Sequence, residues 1–151
     1  ALATAGQSLH WTEWGVALPR LADLLRPDAR LAIVDRTFSE SPWNEALMEV
    51  IPRYSTNQEY QPYDLVDELT ERGLFRLERR YDVPGVPYTQ SVDDYIESFH
   101  SANGFSRDRM TKAEASAFDQ EIRHLVESHA AGGPVVLRVG ACIQVGRPLR
   151  A

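Results

Sequence analysis

The stretch Leu18-Pro19-Arg20-Leu21-Ala22-Asp23-Leu24-Leu25-Arg26-Pro27-Asp28-Ala29-Arg30-Leu31-Ala32-Ile33-Val34 holds the transition that decides the fold. Trp14, Ala17, Leu18, Leu21, Leu24 and Leu25 recur at helical spacing, and Thr12 is placed to cap the start. Pro19 lacks an N–H and is expected to kink or restart that helix. Arg26-Pro27-Asp28 stops it. Leu31 to Val34 is then an unbroken apolar run between a turn and Asp35, the pattern of a strand covered on both faces. A helix delivered into a buried strand is the unit of a parallel α/β sheet.

Reading outward, Leu2 to Gly6 is a short apolar segment that ends in a turn residue, a strand stub. Downstream of Asp35 the character changes. Arg36 to Gln61 carries prolines and the aromatics Trp43, Tyr54 and Tyr60, with one helical stretch from Pro42 to Ile51. Tyr63 to Arg72 reads as a helix closed by Gly73. Leu74 to Tyr81 alternates, with Phe75, Leu77 and Tyr81 on the face expected to be covered, as in a strand at or near an edge. Pro84 to Gln90 reads as a loop. Ser91 and Asp94, then Thr111 and Glu114, stand three apart before apolar helical patterns and predict two capped helices. The first carries Tyr95, Ile96 and Phe99 inward. The second carries Ala115, Phe118, Ile122, Leu125 and Val126 inward and closes at Gly132-Gly133. Val135 to Val145 is a β-branched last strand, with Gly146 and Pro148 expected to end it.

The alternation predicts an α/β fold with a largely parallel sheet, in one domain. Its strand and helix core would lie in 1–35, 62–81 and 134–146, and a helical cap in 36–61 and 82–131. At 151 residues the chain is long enough for a core without disulfides, and 43% apolar with 25% charged residues excludes disordered and fibrous classes. The net charge of −6 argues against nucleic acid and anionic membrane as partners. One cysteine, no apolar run long enough to span a bilayer and no basic leader before the apolar start make the cytoplasm the expected compartment. His124 and His129 are five apart, and no histidine pair has ligand spacing, so no metal site is expected.

Three segments carry a resemblance. Ala5-Gly6-Gln7-Ser8-Leu9-His10-Trp11, the Leu18 to Val34 stretch and Ser91 to Ser101 ("SVDDYIESFHS") together resemble the second half of a class I S-adenosylmethionine-dependent methyltransferase. In that family an "LHW"-type turn follows the fourth strand, and a helix ending in "LRPGG" leads into the fifth. Here Asp28-Ala29 replace the two glycines. The third segment resembles a helix overlying the active site in the trans-aconitate-methyltransferase-like branch, with His100 standing where tryptophan is common. The resemblance implies four strands, the fourth to seventh of a doubly wound sheet. The last would run antiparallel and be inserted beside the fifth.

It also implies roles. Methyl transfer from a sulfonium is an in-line displacement that needs the acceptor aligned and water excluded. Thr4, Ala5, Gly6 and Trp11 would lie by the methionine end of S-adenosylmethionine, and His10 would be the polar contact or base. Arg36, Trp43, Tyr54 and Ser101 would face a small-molecule acceptor. Structural alternatives stand beside each: a core Trp11, a helix-capping His10, a surface-paired Arg36, and Trp43 with Tyr54 in a small satellite core. No glycine-x-glycine-x-glycine loop occurs anywhere in the chain. With Ala1 as its first residue, the chain therefore reads as the acceptor-side portion of a methyltransferase, expected to bind the cofactor weakly or not at all alone. It would dimerise through the Leu2–Ala5 edge or belong with a missing N-terminal half. The alternative function is a non-catalytic remnant that acts as an interaction or ligand-binding module. A split enzyme with its cofactor half on another chain is a third reading.

Overall fold

A computed structural model describes residues 1–39, 41–130 and 132–150. Glu40, Ala131 and Ala151, which fall in the ranges expected for cap and domain, lie outside the described residues. In chain order the elements are β1 (Leu2–Gly6), a 3₁₀ turn (Leu9–Trp11), α1 (Trp14–Leu24), β2 (Arg30–Phe38), α2 (Asn44–Tyr54), α3 (Leu65–Glu71) and β3 (Phe75–Gln90). There follow α4 (Val92–His100), a second 3₁₀ turn (Asn103–Phe105), α5 (Lys112–Ala130) and β4 (Val135–Pro148). The four strands form one sheet in the order β1-β2-β4-β3. The chain divides into two compact units. The first is built from 1–38, 62–86 and 139–151, and the second from 39–61 and 87–138.

In the first unit β1 pairs parallel with β2, from Leu2 opposite Arg30 to Gly6 opposite Val34. β4 pairs antiparallel with β2, from Leu31 opposite Gly146 to Phe38 opposite Val139. The sheet is thus mixed, not largely parallel, because the final strand enters beside β2 in the opposite sense. Its core gathers Leu9, Leu18, Leu31, Ile33, Val66, Leu69, Leu74 and Phe75, with Trp14, Ala17 and Leu21 packed against it. The side chains of Leu18 and Leu69 are fully buried, and burial of a leucine contributes about 1.5–3 kcal/mol.

Local chemistry accounts for the helix ends. Asp64 accepts from the backbone of Val66 and Asp67 at 2.9 and 3.1 Å, so α3 begins after Asp64, two residues later than the apolar pattern starts. Gly73 takes φ +67, with Gly73 N–H donating to Thr70 and Leu74 N–H to Leu69, a Schellman closure. α1 runs through Pro19 without restarting. Thr12 does not cap it: its hydroxyl donates back to the Leu9 carbonyl at 2.8 Å, and the cap position falls on Glu13. Leu24, read as part of the apolar stripe, is 81% exposed.

Two strand readings need correction. Pro84 to Gln90 is not a loop. β3 continues through it, because edge pairing on one side only tolerates Pro84 and Pro87. Along β3 only Phe75 is buried, while Leu77 and Tyr81 are exposed. Nor do Gly146 and Pro148 terminate β4, which includes both.

In the second unit Phe118 is fully buried under rings from three segments: Tyr54 at 5.5 Å, Phe99 at 5.6 Å and Phe105 at 5.0 Å between centroids. These spacings suit edge-to-face and offset stacking. α2 starts at Asn44 rather than at Pro42. α5 is opened by a reciprocal box, the Thr111 N–H donating to Glu114 Oε2 at 2.8 Å and the Glu114 N–H to Thr111 Oγ1 at 3.2 Å. The Ser91 hydroxyl accepts from Asp94 N–H at 3.0 Å at the head of α4.

Gly146 is the tightest point of the first unit. A Cβ there would fall on the Arg76 carbonyl oxygen and 2.5 Å from Phe75 Cζ. Gly146→Ala is therefore expected to destabilise the chain by about 1–3 kcal/mol or more in urea unfolding, with an unchanged midpoint the contrary result.

Candidate functional site

In open α/β sheets ligands gather beyond the carboxyl ends of parallel strands. Here β1 ends at Gly6 and its parallel pairing stops opposite Val34, whereas Asp35 and Arg36 do not close β2, which runs on along β4 to Phe38. The Gln7 N–H donates to the Val34 carbonyl at 3.0 Å and prolongs the ladder by one rung. Gln7 does this at φ +44, a left-handed conformation that a side chain rarely adopts and that costs of order 1 kcal/mol. The turn after it is drawn together on one carbonyl. Leu9 O accepts from Thr12 N–H at 3.0 Å, the Thr12 hydroxyl at 2.8 Å and Trp14 Nε1–H at 3.1 Å.

This turn buries Leu9 and turns the two residues after it outward. His10 is exposed, and Trp11 is 69% exposed with its ring 5.0 Å from the imidazole. Trp11 is thus not a core anchor, and His10 is not a cap for α1. Thr4 and Gly6 face outward on β1, Ala5 is half-buried, and nothing lies within 4 Å of where a Cβ on Gly6 would stand.

Asp35 supplies the electrostatics. Burial pushes its carboxyl above the ordinary range, the charge of His10 pulls it down, and the negative field of Asp64 pushes it up. The Asp64 carboxylate is held at the head of α3 by its cap bonds. So the structure brings His10 and Asp64, from two other segments, within electrostatic reach of Asp35. Beside them, the thiol of Cys142, opposite Asp35 in β4, is pushed up by burial and then by its hydrogen bond with Asp82, and it stays protonated and buried. Arg36 is exposed, its guanidinium 4.9 Å over the Phe38 ring.

The remaining acceptor candidates belong to the second unit. Trp43 is 4% exposed, its Nε1–H donating to the Tyr95 hydroxyl at 3.1 Å and its ring edge-on to Tyr95. Tyr54 is half-buried on Phe118. Ser101 is exposed at the C-terminus of α4, its hydroxyl donating to Ser98 O at 2.7 Å, and it lines a cleft of about 400 Å³ with Glu97, His100, Ser106, Arg107 and Asp108. Trp43 and Tyr54 thus sit within packed aromatic contacts, whereas Ser101 opens onto solvent.

Gln7 and Asp64 went unread in the sequence. Nothing in a lone glutamine signals a positive φ. Asp64 was legible as a helix cap, but its field at Asp35 comes from folding. Among the described residues no group of three His, Cys, Asp or Glu side chains could hold a metal ion, and no helix is long and apolar enough to cross a membrane.

The chain has a mixed α/β fold shared with methyltransferase structures. It is similar to a protein from Anaeromyxobacter dehalogenans described as a type II methyltransferase, at 18% identity and a TM-score of 0.58, over 99% of this chain and 65% of that one. It also aligns with a protein from Bacillus halodurans C-125 described as a methyltransferase, at 14% identity and a TM-score of 0.47, over 98% of this chain and 64% of that one. The chain thus spans about 65% of the length of the first of these. No family model and no curated protein matches it.

The raised carboxyl of Asp35 has a consequence for stability. Its folded state holds a proton more tightly than the unfolded chain does, so above that titration the ionised, partly buried carboxylate works against folding. Asp35→Asn is expected to raise the melting temperature at about pH 7 and to leave it unchanged near pH 3, where an ordinary carboxylate of pKa about 3.9 is protonated in both states. Equal melting temperatures of the two proteins at both pH values would contradict this account.

Proposed function

We propose that this chain is the acceptor-side part of an enzyme that transfers a methyl group from S-adenosylmethionine to a small molecule. The observation that carries the reading is the sheet itself. A parallel β1–β2 pair with the final strand antiparallel to β2 and placed between β2 and β3 matches the methyltransferase expectation, and the likeness in fold extends over 99% of the chain.

S-adenosylmethionine would supply a methyl group on a sulfonium. The residues here suit part of it. Gly6 leaves open backbone at the end of β1, Trp11 offers an exposed indole for cation–π contact, and Asp35 with Asp64 makes a negative field that favours a sulfonium and an ammonium. Thr4 and Ala5 would set the strand edge on which the methionine end rests. No glycine-x-glycine loop is present to hold the rest of the cofactor.

His10 would take the proton of an acceptor that is not already ionised, and its exposed ring leaves it free to do so. Arg36 would hold an acceptor carboxylate. In the second unit, Trp43 and Tyr54 would act through its aromatic core, and Ser101 would offer its hydroxyl to a small molecule in its own cleft. The free edge of β1 would be covered by a further strand, from a second copy or from more of the same protein.

Calorimetric titration tests the division of labour. The 151-residue chain is expected to show no micromolar binding of S-adenosylmethionine, and micromolar affinity would overturn the assignment of this chain to the acceptor side. In the complete protein, His10→Ala is expected to lower kcat by about 10²–10⁴-fold for an acceptor that must lose a proton. An unchanged kcat removes His10 from the chemistry.

A further inference from the structure

At the end of the sheet where β1 and β2 begin, away from Gly6, the first unit has a cleft of about 420 Å³. Ala22 on α1, Leu25 at its C-cap and Pro27 in the turn that follows give it apolar walls, together with Pro148 at the end of β4 and Leu149 beyond it. Three arginines, Arg26, Arg147 and Arg150, stand on the same cleft, and no acidic residue lines it among the described residues. That is the opposite sign to the chain as a whole, whose net charge is −6.

The walls are fixed before any ligand arrives. Glu78 of β3 accepts from Arg147 Nε at 2.8 Å and from Arg30 Nε. The hydrogen bond from Arg30 is the chief reason that the Glu78 carboxyl lies below its ordinary range; desolvation works against it, and Arg147 lowers it further. The two arginines anchored in this way grip the turn after α1. Arg147 Nη1 donates to the Pro27 carbonyl at 2.9 Å, and Arg30 Nη1 donates to the Asp28 and Ala29 carbonyls, each at 3.0 Å. The Ala29 N–H closes the same turn on Arg26 O at 2.8 Å, and the Leu149 N–H donates to Leu74 O at 2.8 Å, which sets the opposite wall. A cleft built from groups already held in place loses little freedom when it is filled.

Arg26 and Arg150 are held differently. Arg26 pairs with Asp28 at 3.6 Å and Arg150 with Asp23 at 2.8 Å, and all four side chains are exposed. Exposed pairs of this kind contribute little to stability, so each guanidinium can turn from its partner to an incoming carboxylate at small cost. The rim thus already holds carboxylates, and the apolar walls offer a surface to an uncharged body. We propose that this cleft binds a small organic acid as its carboxylate anion, with the head on the arginine rim and the apolar body against Leu25, Pro148 and Leu149. The site does not depend on methyl transfer.

Phenylacetate is the probe, titrated into the full 151-residue chain and followed by backbone amide shifts. Saturating shifts are expected at Leu25, Arg26, Ala29, Arg147 and Leu149, with a Kd of about 1–10 mM for a ligand of that size. Phenylacetamide keeps the body and lacks the charge, and inorganic phosphate keeps charge and lacks the body. Each is expected to bind about tenfold more weakly or worse. Arg26→Gln combined with Arg150→Gln is expected to weaken phenylacetate binding about tenfold and, because both side chains are exposed, to leave amide shifts elsewhere unchanged. Absence of saturation at these amides, equal affinity for phenylacetamide or for phosphate, shifts confined to Gly6–Trp11, or undiminished affinity in the double variant would each overturn the proposal.

Discussion

Everything in the first unit depends on where β4 lies. It pairs with β2 from Leu31 to Phe38 and has β3 on its other side, so the last strand made becomes an interior strand of the sheet. This demands a close approach at Gly146, where Phe75 and the Arg76 backbone occupy the space of a side chain. Because that space is open, Phe75 can be 1% exposed and join Leu18, Leu31 and Leu69 in one cluster. A pairing between residues so far apart in sequence forms only after a costly loop closure, and the core that rewards it must be made at the same time.

With the strands so arranged, β1 ends opposite Val34 of β2, and the chain must leave it without orphaned backbone groups. Gln7 accepts a left-handed conformation to give its N–H to Val34, and three donors converge on the Leu9 carbonyl. The exposure of His10 and Trp11 is a consequence of that turn, since burying Leu9 sends the two residues after it out. Asp35, on β2 beside this turn, is left with incomplete compensation, and His10 is the opposing charge within reach.

The second unit solves a different problem. It relies on Phe118 of α5 as a common aromatic contact, with polar edges satisfied one by one: Trp43 on Tyr95, His100 on Phe105 and Asp119. Burial of such polar atoms is tolerable only when each has its partner, which is why these contacts hold the geometry tightly. Ser101, one residue beyond His100, stays in solvent because the helix ends there.

Local chemistry was legible in the chain from the start. The Ser91–Asp94 and Thr111–Glu114 pairs announce their helices, Gly73 announces the end of α3, and Leu31 to Val34 announces a buried strand, since each signal acts between residues within a few positions of one another. The same local reading failed for β3. Prolines at 84 and 87 and a polar-apolar alternation could not reveal that an edge strand runs on to Gln90 with Leu77 and Tyr81 in solvent. Of the site, the sequence by itself determined that Thr4 to Trp11 would lie at the end of β1, but not that β2 runs past Asp35 and Arg36 to Phe38. Only the tertiary structure decided that Trp11 is exposed and Trp43 enclosed, that Asp64 acts on Asp35, and that His100 stands between two acceptors. The physical reason is that burial and electrostatic fields are set by groups distant in sequence, which fold against a residue after its own local conformation has been chosen.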